Sequence, residues 1–257
     1  MTSECATTPP PFEELALTPD ERAQVQEQLA ACFGLTPEAA RTWVEVTARH
    51  GVCFGRVVGG GRRPAGRASG GRVAASFAAE PLPLARGGEQ IVAVMLQSCY
   101  VHRDFRGRGY GLERADVEVL RRRFAADVVV LTLFDVGLAP YWRQRGFEVV
   151  QRAEEVDLGE YLARARGAFS PAPSERAVLD KLAEVAADGA VVSANDGLVA
   201  IRYPGDTVVD ELLVRDASRA TEAEKTAKQC GGGSLRIRLK TVMASPGDLE
   251  LVCAIDL

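Results

Sequence analysis

Histidine and paired cysteine are scarce in this sequence. It contains only two histidines, His50 and His102, and its six cysteines include no CxxC pair. This scarcity excludes a histidine-rich metal site, and we expect no bound metal. The cysteines are scattered and several lie within apolar or helical patterns, so we interpret them as buried, reduced thiols rather than as disulfides.

Long apolar runs and an excess of positive charge are also absent. No apolar run approaches the ~20 residues of a membrane-spanning helix, and the Pro-rich stretch Met1–Phe12 has no apolar signal-peptide core. The net charge of −4 argues against a general nucleic-acid-binding protein, which is usually basic. We therefore expect a cytoplasmic protein that binds neither a membrane nor nucleic acid.

The length and one linker signal indicate two domains. A chain of 257 residues is natural for two domains of modest size. The sequence Ser170-Pro-Ala-Pro-Ser174 is typical of a linker. We assign a first domain to residues 1–160 and a second to residues 161–257.

Helix and strand patterns alternate in the first domain, which predicts an α/β fold. Thr18 and Glu21 form an N-terminal cap for a helix within residues 13–34, which ends at Gly34. The apolar run Ile91–Val101 is typical of a strand buried on both faces. The other predicted elements are a helix from Thr36, strands Val52–Val58, Val73–Ala79 and Val128–Phe134, a turn region Glu80–Glu89, helices Leu112–Phe124 and Leu138–Arg145, and a hairpin of Phe147–Val150 with Glu155–Leu158.

The second domain repeats the core order of the first, which suggests a degenerate internal repeat. Ser174 caps a helix that ends at Gly189, and two strands flank the turn Asn195-Asp196-Gly197. A third strand spans Thr207–Val214. A helix with a Thr221–Glu224 capping box and strands at Leu235–Leu239 and Leu249–Ile255 complete the pattern.

The segment Val101–Gly111 has the chemistry of an anion site. It follows a buried strand and opens a helix, where the first N–H groups have no intrahelical partner and the helix dipole is positive. Glycines let the backbone approach a ligand closely, while Arg106 and Arg108 add full charges. A pyrophosphate fits such a place.

Two common phosphate motifs do not match this segment. The Rossmann pattern G-x-G-x-x-G fails because Leu112 and Glu113 follow Gly111, and no Gly-Lys-Ser/Thr of a Walker motif occurs. The residues instead match the R/Q-x-x-G-x-G/A motif through Arg106, Gly109 and Gly111.

That motif resembles the acetyl-CoA signature of the GCN5-related N-acetyltransferases. A second landmark agrees, because the aromatic pair Tyr141-Trp142 precedes Gly146-Phe147 in the way this family shows. The resemblance covers residues 12–158 and implies an α/β (α+β) fold with a mixed central sheet flanked by helices, followed by a smaller α/β domain.

The resemblance also implies a set of cofactor-binding residues. The strand ending at Val101 should splay from its neighbour near Phe134 and offer the backbone of Cys99, Tyr100 and Val101 to the pantetheine arm of acetyl-CoA. The loop amides should hold the pyrophosphate. The implied loop residues are Arg106, Gly107, Arg108, Gly109, Tyr110 and Gly111.

The residues expected to complete the chemistry depart from the family pattern. A tyrosine that protonates the leaving thiolate commonly lies four residues before the Gly of Gly-Phe, where this chain has Trp142. Tyr141, one position earlier, takes this role, or the thiolate is protonated by water. An indole N–H only donates hydrogen bonds and cannot supply that proton.

Asp135 is the nearest candidate for a general base, directly or through a water molecule. Its competing interpretation is a cap for the following helix. Cys99 has no histidine partner placed by the sequence, so we interpret it as a backbone contact and not as a nucleophile.

The sequence therefore predicts an N-acetyltransferase that moves an acetyl group from acetyl-CoA to a primary amine, here the amine of a small molecule. The alternative is an acyl-CoA-binding module that has lost catalysis and acts in sensing or assembly.

The second domain has no equivalent of the Arg106–Gly111 motif. It either lines the substrate cleft, mediates homodimerisation, or does both.

Overall fold

Helices and strands alternate along the chain in the computed structural model. The structure describes residues 9–59, 61–62, 68–69, 71–165, 167–171, 175–195, 198–206, 208–209, 211–214 and 236–245. The α/β fold class predicted from the sequence is confirmed.

The helices are α1 Pro19–Phe33, α2 Pro37–His50, α3 Arg114–Phe124, α4 Ala139–Arg143, α5 Leu158–Ala165 and α6 Glu175–Ala187. The strands are β1 Glu13–Glu14, β2 Val52–Val58, β3 Gly61–Arg62, β4 Ala68–Ser69, β5 Arg72–Arg86, β6 Glu89–Val101, β7 Val128–Leu133, β8 Glu148–Gln151, β9 Glu154–Asp157, β10 Ser170–Pro171, β11 Val191–Asn195, β12 Leu198–Arg202, β13 Glu211–Val214, β14 Arg236–Leu239 and β15 Thr241–Ser245.

The chain divides into two compact units that interleave along the sequence. Unit 1 comprises Met1–Glu80 and Leu96–Val117, and unit 2 comprises Pro81–Met95 and Glu118–Leu257. The boundary predicted at residue 160, and the internal repeat, stay predictions.

Helices α1 and α2 of unit 1 begin at the caps that the sequence predicts. The Thr18 side chain accepts a hydrogen bond from the Glu21 amide while the Glu21 carboxylate accepts one from the Thr18 amide, which is a complete capping box. Gly34 ends α1 in the left-handed conformation, at a φ of 67°. Thr36 caps α2 by accepting a hydrogen bond from the Ala39 amide.

Both helices pack against the strands of unit 1, which follow the order β1-β2-β5-β6. Apolar side chains from α1, α2, β2 and β5 form one buried cluster. Its members include Val25, Leu29, Val44, Cys53 and Val73.

The turn predicted at Glu80–Glu89 is wrong, because β5 continues through it to Arg86. Strand β2 pairs with β5 only as far as Ala79. Pro81 and Pro83 lie beyond that pairing and two residues apart, so both lack their N–H on the same side of the strand. The turn is confined to Gly87-Gly88, which have φ values of 55° and 91°.

Strand β15, which the sequence analysis missed, lies inside the sheet of unit 2. The strand order there is β5-β6-β7-β15-β8. All five residues of β15 are buried, and it pairs antiparallel with β7 and with β8. Helix α3 lies between β6 and its sheet neighbour β7 along the chain.

The hairpin predicted between Phe147–Val150 and Glu155–Leu158 is also wrong, although both strands exist. Strand β8 pairs with β15, and β9 pairs with β14. The two linking residues, Arg152-Ala153, include no Gly, Pro, Asn or Asp that would favour a tight turn. The partners of β9 and β8 are therefore the consecutive strands β14 and β15.

The remaining part of unit 2 contains α5, which was not predicted, and a small α/β group. Strands β11, β12 and β13 form an antiparallel sheet, and α6 contributes Val185 to a cluster with Val199 and Ile201. The helix predicted from Thr221, the strand Leu249–Ile255 and the turn at Asp196-Gly197 lie outside the described residues. Within those residues no helix has the length and apolarity to span a membrane.

The position of β15 makes a prediction about stability. Met243 is fully buried at its centre, so Met243→Ala should lower the free energy of unfolding by about 2–5 kcal/mol. Leu179→Ala, at a side chain that is 60% exposed on α6, is the control and should change it by only about 0.5 kcal/mol. Urea unfolding followed by circular dichroism measures both, and equal losses would contradict the placement of β15.

Candidate functional site

The predicted anion segment forms a loop that leaves the end of β6 in unit 1. The His102 amide donates a hydrogen bond of 2.8 Å to the Ala74 carbonyl of β5, which fixes where the strand ends. A single 3-10 turn, Arg103–Phe105, follows, and His102 caps it by accepting from the Asp104 amide at 3.3 Å. The chain then turns through Arg106–Gly109 before α3 begins.

Two glycines give this loop its shape. Gly107 and Gly109 have φ values of 72° and 77°, in the left-handed region that side chains disfavour. Among the residues that the structure describes, no neighbouring atom lies within 4 Å of the position a Gly107 Cβ would take, and only Pro9 Cγ, at 3.6 Å, lies near that of Gly109. The backbone at these two positions is therefore open to a ligand.

The arginines around the loop differ in the hydrogen bonds that they make within the protein. Arg106 Nε donates to the Val101 carbonyl at 3.0 Å, and its Cζ lies 5.7 Å from the centre of the Tyr100 ring. Arg108 is exposed. Arg72 donates to the Asp104 carboxylate at 2.8 Å, and this hydrogen bond lowers the pKa of Asp104. Asp104 is therefore ionised and matched by Arg72, and Arg106 and Arg108 are exposed cations of the turn.

Tyr110 anchors the loop to the sheet. Its side chain is buried in a cluster that includes Ala74, Ala75 and Val101, and its ring centroid lies 5.0 Å from that of Phe105. Because this side chain is used in packing, only the backbone of Tyr110 is available to a ligand.

Arg56 holds the other end of the loop, and the sequence analysis did not identify it. It is 6% exposed, and its Nη2 donates to the Gly111 carbonyl at 3.4 Å and to Asp116 Oδ2 at 2.9 Å. It also donates to the Pro10 carbonyl. The same Asp116 oxygen accepts from the Glu113 amide at 2.8 Å, so one carboxylate links Arg56 to the start of α3. The sequence signal that could have identified Arg56 is that it is the one charged residue in the otherwise apolar strand β2.

Cys99 is half-buried near the end of β6, and burial raises the pKa of its thiol to about 12. The thiol is therefore neutral at ordinary pH. A nucleophilic cysteine needs the opposite shift.

The other predicted site residues belong to unit 2. Phe134 is 75% exposed after β7, with Lys240 Nζ 5.2 Å from its ring centre. Asp135 is exposed and its Oδ1 accepts from the Gly137 amide at 2.8 Å, so the carboxylate caps the 3-10 turn Val136–Leu138. Asp135 therefore acts as a cap through one of its two carboxylate oxygens, Oδ1.

Tyr141 and Trp142 have different environments in α4. Trp142 is 6% exposed and its ring lies 5.3 Å from that of Phe147, edge to face. Tyr141 is half-buried, with the Arg145 Cζ 3.4 Å above its ring. Trp142 is a packing residue, and Tyr141 is the phenol at this landmark.

The predicted residues therefore form two groups. Unit 1 contains Cys99, Tyr100, Val101 and the loop Arg106–Gly111, while unit 2 contains Phe134, Asp135 and Tyr141. The splay predicted near Phe134 stays a prediction. Among the described residues, no three His, Cys, Asp or Glu side chains cluster in the way a metal ion requires.

No protein-family model and no curated protein matches the sequence. A conserved protein of unknown function from Enterococcus faecalis V583 matches in structure with a TM-score of 0.58 at 13% identity, over 93% of this chain and 72% of that one. A GCN5-related N-acetyltransferase from Kribbella flavida gives 0.56 at 17% identity, over 91% and 71%. Another from Anabaena variabilis ATCC 29413 gives 0.50 at 11%, over 95% and 74%.

The chain has the fold of the GCN5-related N-acetyltransferases. The fold that the Arg106–Gly111 and Tyr141–Phe147 landmarks imply is thereby confirmed. Within this fold, the glycine loop of unit 1 combines an open backbone with two exposed arginines, Arg106 and Arg108.

The Arg56 network of the acetyltransferase fold can be tested through stability. Arg56→Met leaves the Asp116 carboxylate without its charged partner, so we expect a loss of about 3 kcal/mol in the free energy of unfolding. Arg176→Met is the control, because Arg176 is exposed and 4.0 Å from Asp180, and such pairs contribute less than about 1 kcal/mol. Chemical unfolding of both variants is the measurement, and an Arg56 effect no larger than the control would show that the network is not structural.

Proposed function

We propose that this protein is an N-acetyltransferase that transfers the acetyl group of acetyl-CoA to the primary amine of a small molecule. The observation that carries the proposal is the pair of left-handed glycines, Gly107 and Gly109, in an open loop between a buried strand and a helix. The acetyltransferase fold around that loop supports it.

The loop fits the pyrophosphate of acetyl-CoA. The proposed donors are the backbone N–H groups of Gly107–Gly111, since the Arg106 amide already donates to the Arg103 carbonyl and the Glu113 amide to Asp116. Arg108 adds an exposed positive charge. Because Gly107 and Gly109 carry no side chain, a phosphate oxygen can approach the backbone to hydrogen-bonding distance.

The transfer is direct in this proposal. Acetyl-CoA supplies an activated acetyl group, and the amine nitrogen attacks the thioester carbonyl carbon. The N–C bond forms, the C–S bond breaks, the amine loses a proton and the thiolate of CoA gains one. Cys99 forms no acetyl-enzyme because its pKa of about 12 keeps the thiol protonated.

Tyr141 and Asp135 are the proposed proton carriers. The Tyr141 hydroxyl protonates the departing thiolate, since Trp142 is buried and its indole cannot do so. Asp135 accepts the proton of the amine through its Oδ2, directly or through water, while Oδ1 remains with the Gly137 amide.

A homodimer and a cytoplasmic location stay predictions.

A second candidate function is an acyl-CoA-binding module without catalysis. The presence of Trp142 at the position of the family's tyrosine favours it, as does the capping bond of Asp135, which engages one oxygen of the candidate base. A thiol-release assay over a panel of amines separates the two functions. Acetyl-CoA binding without turnover on any amine would support the binding module and overturn the acetyltransferase.

Cofactor binding by the loop can be tested with two glycines of equal conformation. Gly109 and Gly59 both have a φ of 77°, so Gly109→Ala and Gly59→Ala should each lose about 1 kcal/mol of stability through strain. Only Gly109→Ala places a methyl group in the proposed phosphate site. We expect it to weaken CoA binding at least about tenfold, or about 1.4 kcal/mol.

Isothermal titration calorimetry with CoA, at two salt concentrations, gives the dissociation constant of each variant. The Gly59→Ala variant controls for strain, because no neighbouring atom of the described residues lies within 4 Å of its new methyl group. Equal affinities for the two variants would remove the loop from the binding site.

Tyr141→Phe tests the proposed acid. Loss of the hydroxyl should lower kcat by about a hundredfold, which is the usual range for one proton donor, and leave the KM for acetyl-CoA unchanged. Steady-state thiol release gives both constants. Trp142→Phe is the comparison. It should lower thermal stability, and it should lower kcat less than Tyr141→Phe does. An unchanged kcat in Tyr141→Phe would assign protonation of the thiolate to water.

A further inference from the structure

Exposed apolar side chains concentrate where the chain leaves β7 in unit 2. Six large apolar side chains are exposed among the residues that the structure describes, and three of them, Phe134, Val136 and Leu138, lie within five consecutive positions. A single exposed apolar side chain is ordinary, but a contiguous group is typical of a binding surface. The proposed base, Asp135, lies inside this group. We call residues 134–138 the apolar turn.

The pairing of β7 with β15 places a lysine beside the apolar turn. The two strands are antiparallel and Thr241 is the partner of Leu133, so the next positions outward, Phe134 and Lys240, lie opposite each other where the pairing ends. Their side chains share one face, because Lys240 Nζ lies 5.2 Å from the centre of the Phe134 ring. A ring attracts an ammonium within about 6 Å of its centre, so this contact keeps the Lys240 charge at the apolar turn.

Two opposite charges therefore adjoin Phe134. Lys240 lies across the strand pair from it, and Asp135 follows it in the chain. The Asp135 Oδ1 atom accepts from the Gly137 amide at 2.8 Å, and its Oδ2 atom faces the amine in the proposed mechanism. The matching ligand carries an ammonium for Asp135, an anionic group for Lys240 and an apolar group for the Phe134 ring. A carboxylate suits Lys240, since hydrogen bonds between two ionised groups are the strong ones.

We infer that the acceptor is an α-amino acid with an apolar side chain. Its amine meets Asp135, its carboxylate meets Lys240 and its side chain packs on the apolar turn. The inference rests on the proposed acetyltransferase function and assigns its acceptor class. An α-amino acid carries both charged groups on one carbon, which suits two charges that adjoin a single residue. A polyamine is a poor acceptor, because its second ammonium meets the like charge of Lys240.

A pair of acceptors that differ only in the carboxylate tests the role of Lys240 on the whole chain. L-Phenylalanine and 2-phenylethylamine share the amine and the phenyl ring. In the thiol-release assay, Lys240→Met should raise the KM for L-phenylalanine about tenfold, because a hydrogen bond between charged groups is lost. The KM values for 2-phenylethylamine and for acetyl-CoA should stay unchanged. Lys240→Arg keeps the charge and should retain the preference for L-phenylalanine.

Two further variants locate the effect. Lys181→Met is the control, because it removes the same charge from α6, also in unit 2, where Lys181 Nζ lies 3.8 Å from Glu184. It should change no KM. Phe134→Ala should reduce the preference for L-phenylalanine over glycine about tenfold and leave the KM for glycine unchanged, since only the larger side chain packs on the ring. Calorimetry with L-phenylalanine in the presence of CoA measures the same losses without turnover.

The outcomes separate this inference from the function on which it rests. If amines are acetylated but Lys240→Met alters L-phenylalanine and 2-phenylethylamine alike, or alters neither, the inference is overturned and the acetyltransferase function stands. Acetylation of peptide amino termini alone would also overturn the inference. If CoA binds and no amine is acetylated, the acetyltransferase function is overturned and the inference with it. A loss confined to L-phenylalanine in Lys240→Met supports both.

Discussion

A backbone site for an anion must leave its N–H groups unpaired and still keep a single shape. Unpaired donors make no contribution to holding a loop, so the shape has to come from groups that face away from the ligand. In this protein the buried ring of Tyr110 holds the middle of the loop, and the Arg56 guanidinium holds its exit through Gly111 and Asp116. Everything proposed for the cofactor depends on this division of roles.

The same division explains why a buried arginine is tolerated in β2. Its charge is matched by Asp116, and its Cζ lies 4.2 Å from the Phe12 ring centre. Arg56 therefore brings three segments distant in sequence to one point: the Pro10–Phe12 stretch, β2 and the start of α3. A loop with open amides gains rigidity from a contact that no ligand needs to touch.

Local signals predicted the elements whose boundaries are set locally. The caps at Thr18 and Thr36 and the whole of β2 lie where the sequence places them, because adjacent residues decide helix starts and a short, largely apolar stretch favours a buried strand. The anion loop was found for the same reason, since its glycines, arginines and helix start are contiguous.

Distant partners decided the features that were missed. Strand β15 has only three consecutive apolar residues, Val242–Ala244, and becomes a strand because β7 and β8 enclose it. The role of Arg56 depends on Asp116, 60 residues later. For Asp135 the sequence left a cap and a base open, and the observed bond to Gly137 occupies one oxygen while the base role stays a prediction.

The insertion of β15 between β7 and β8 has a consequence for synthesis on the ribosome. Val149 of β8 pairs with Met243, so more than ninety residues must be made before β8 gains this neighbour. Until residue 245 leaves the exit tunnel, β7 and β8 each present an unpaired edge, which is the kind of surface that associates with other chains. The sheet of unit 2 is therefore completed only after β15 has been made, and chaperone binding to the nascent chain should be longest over the interval between β8 and β15.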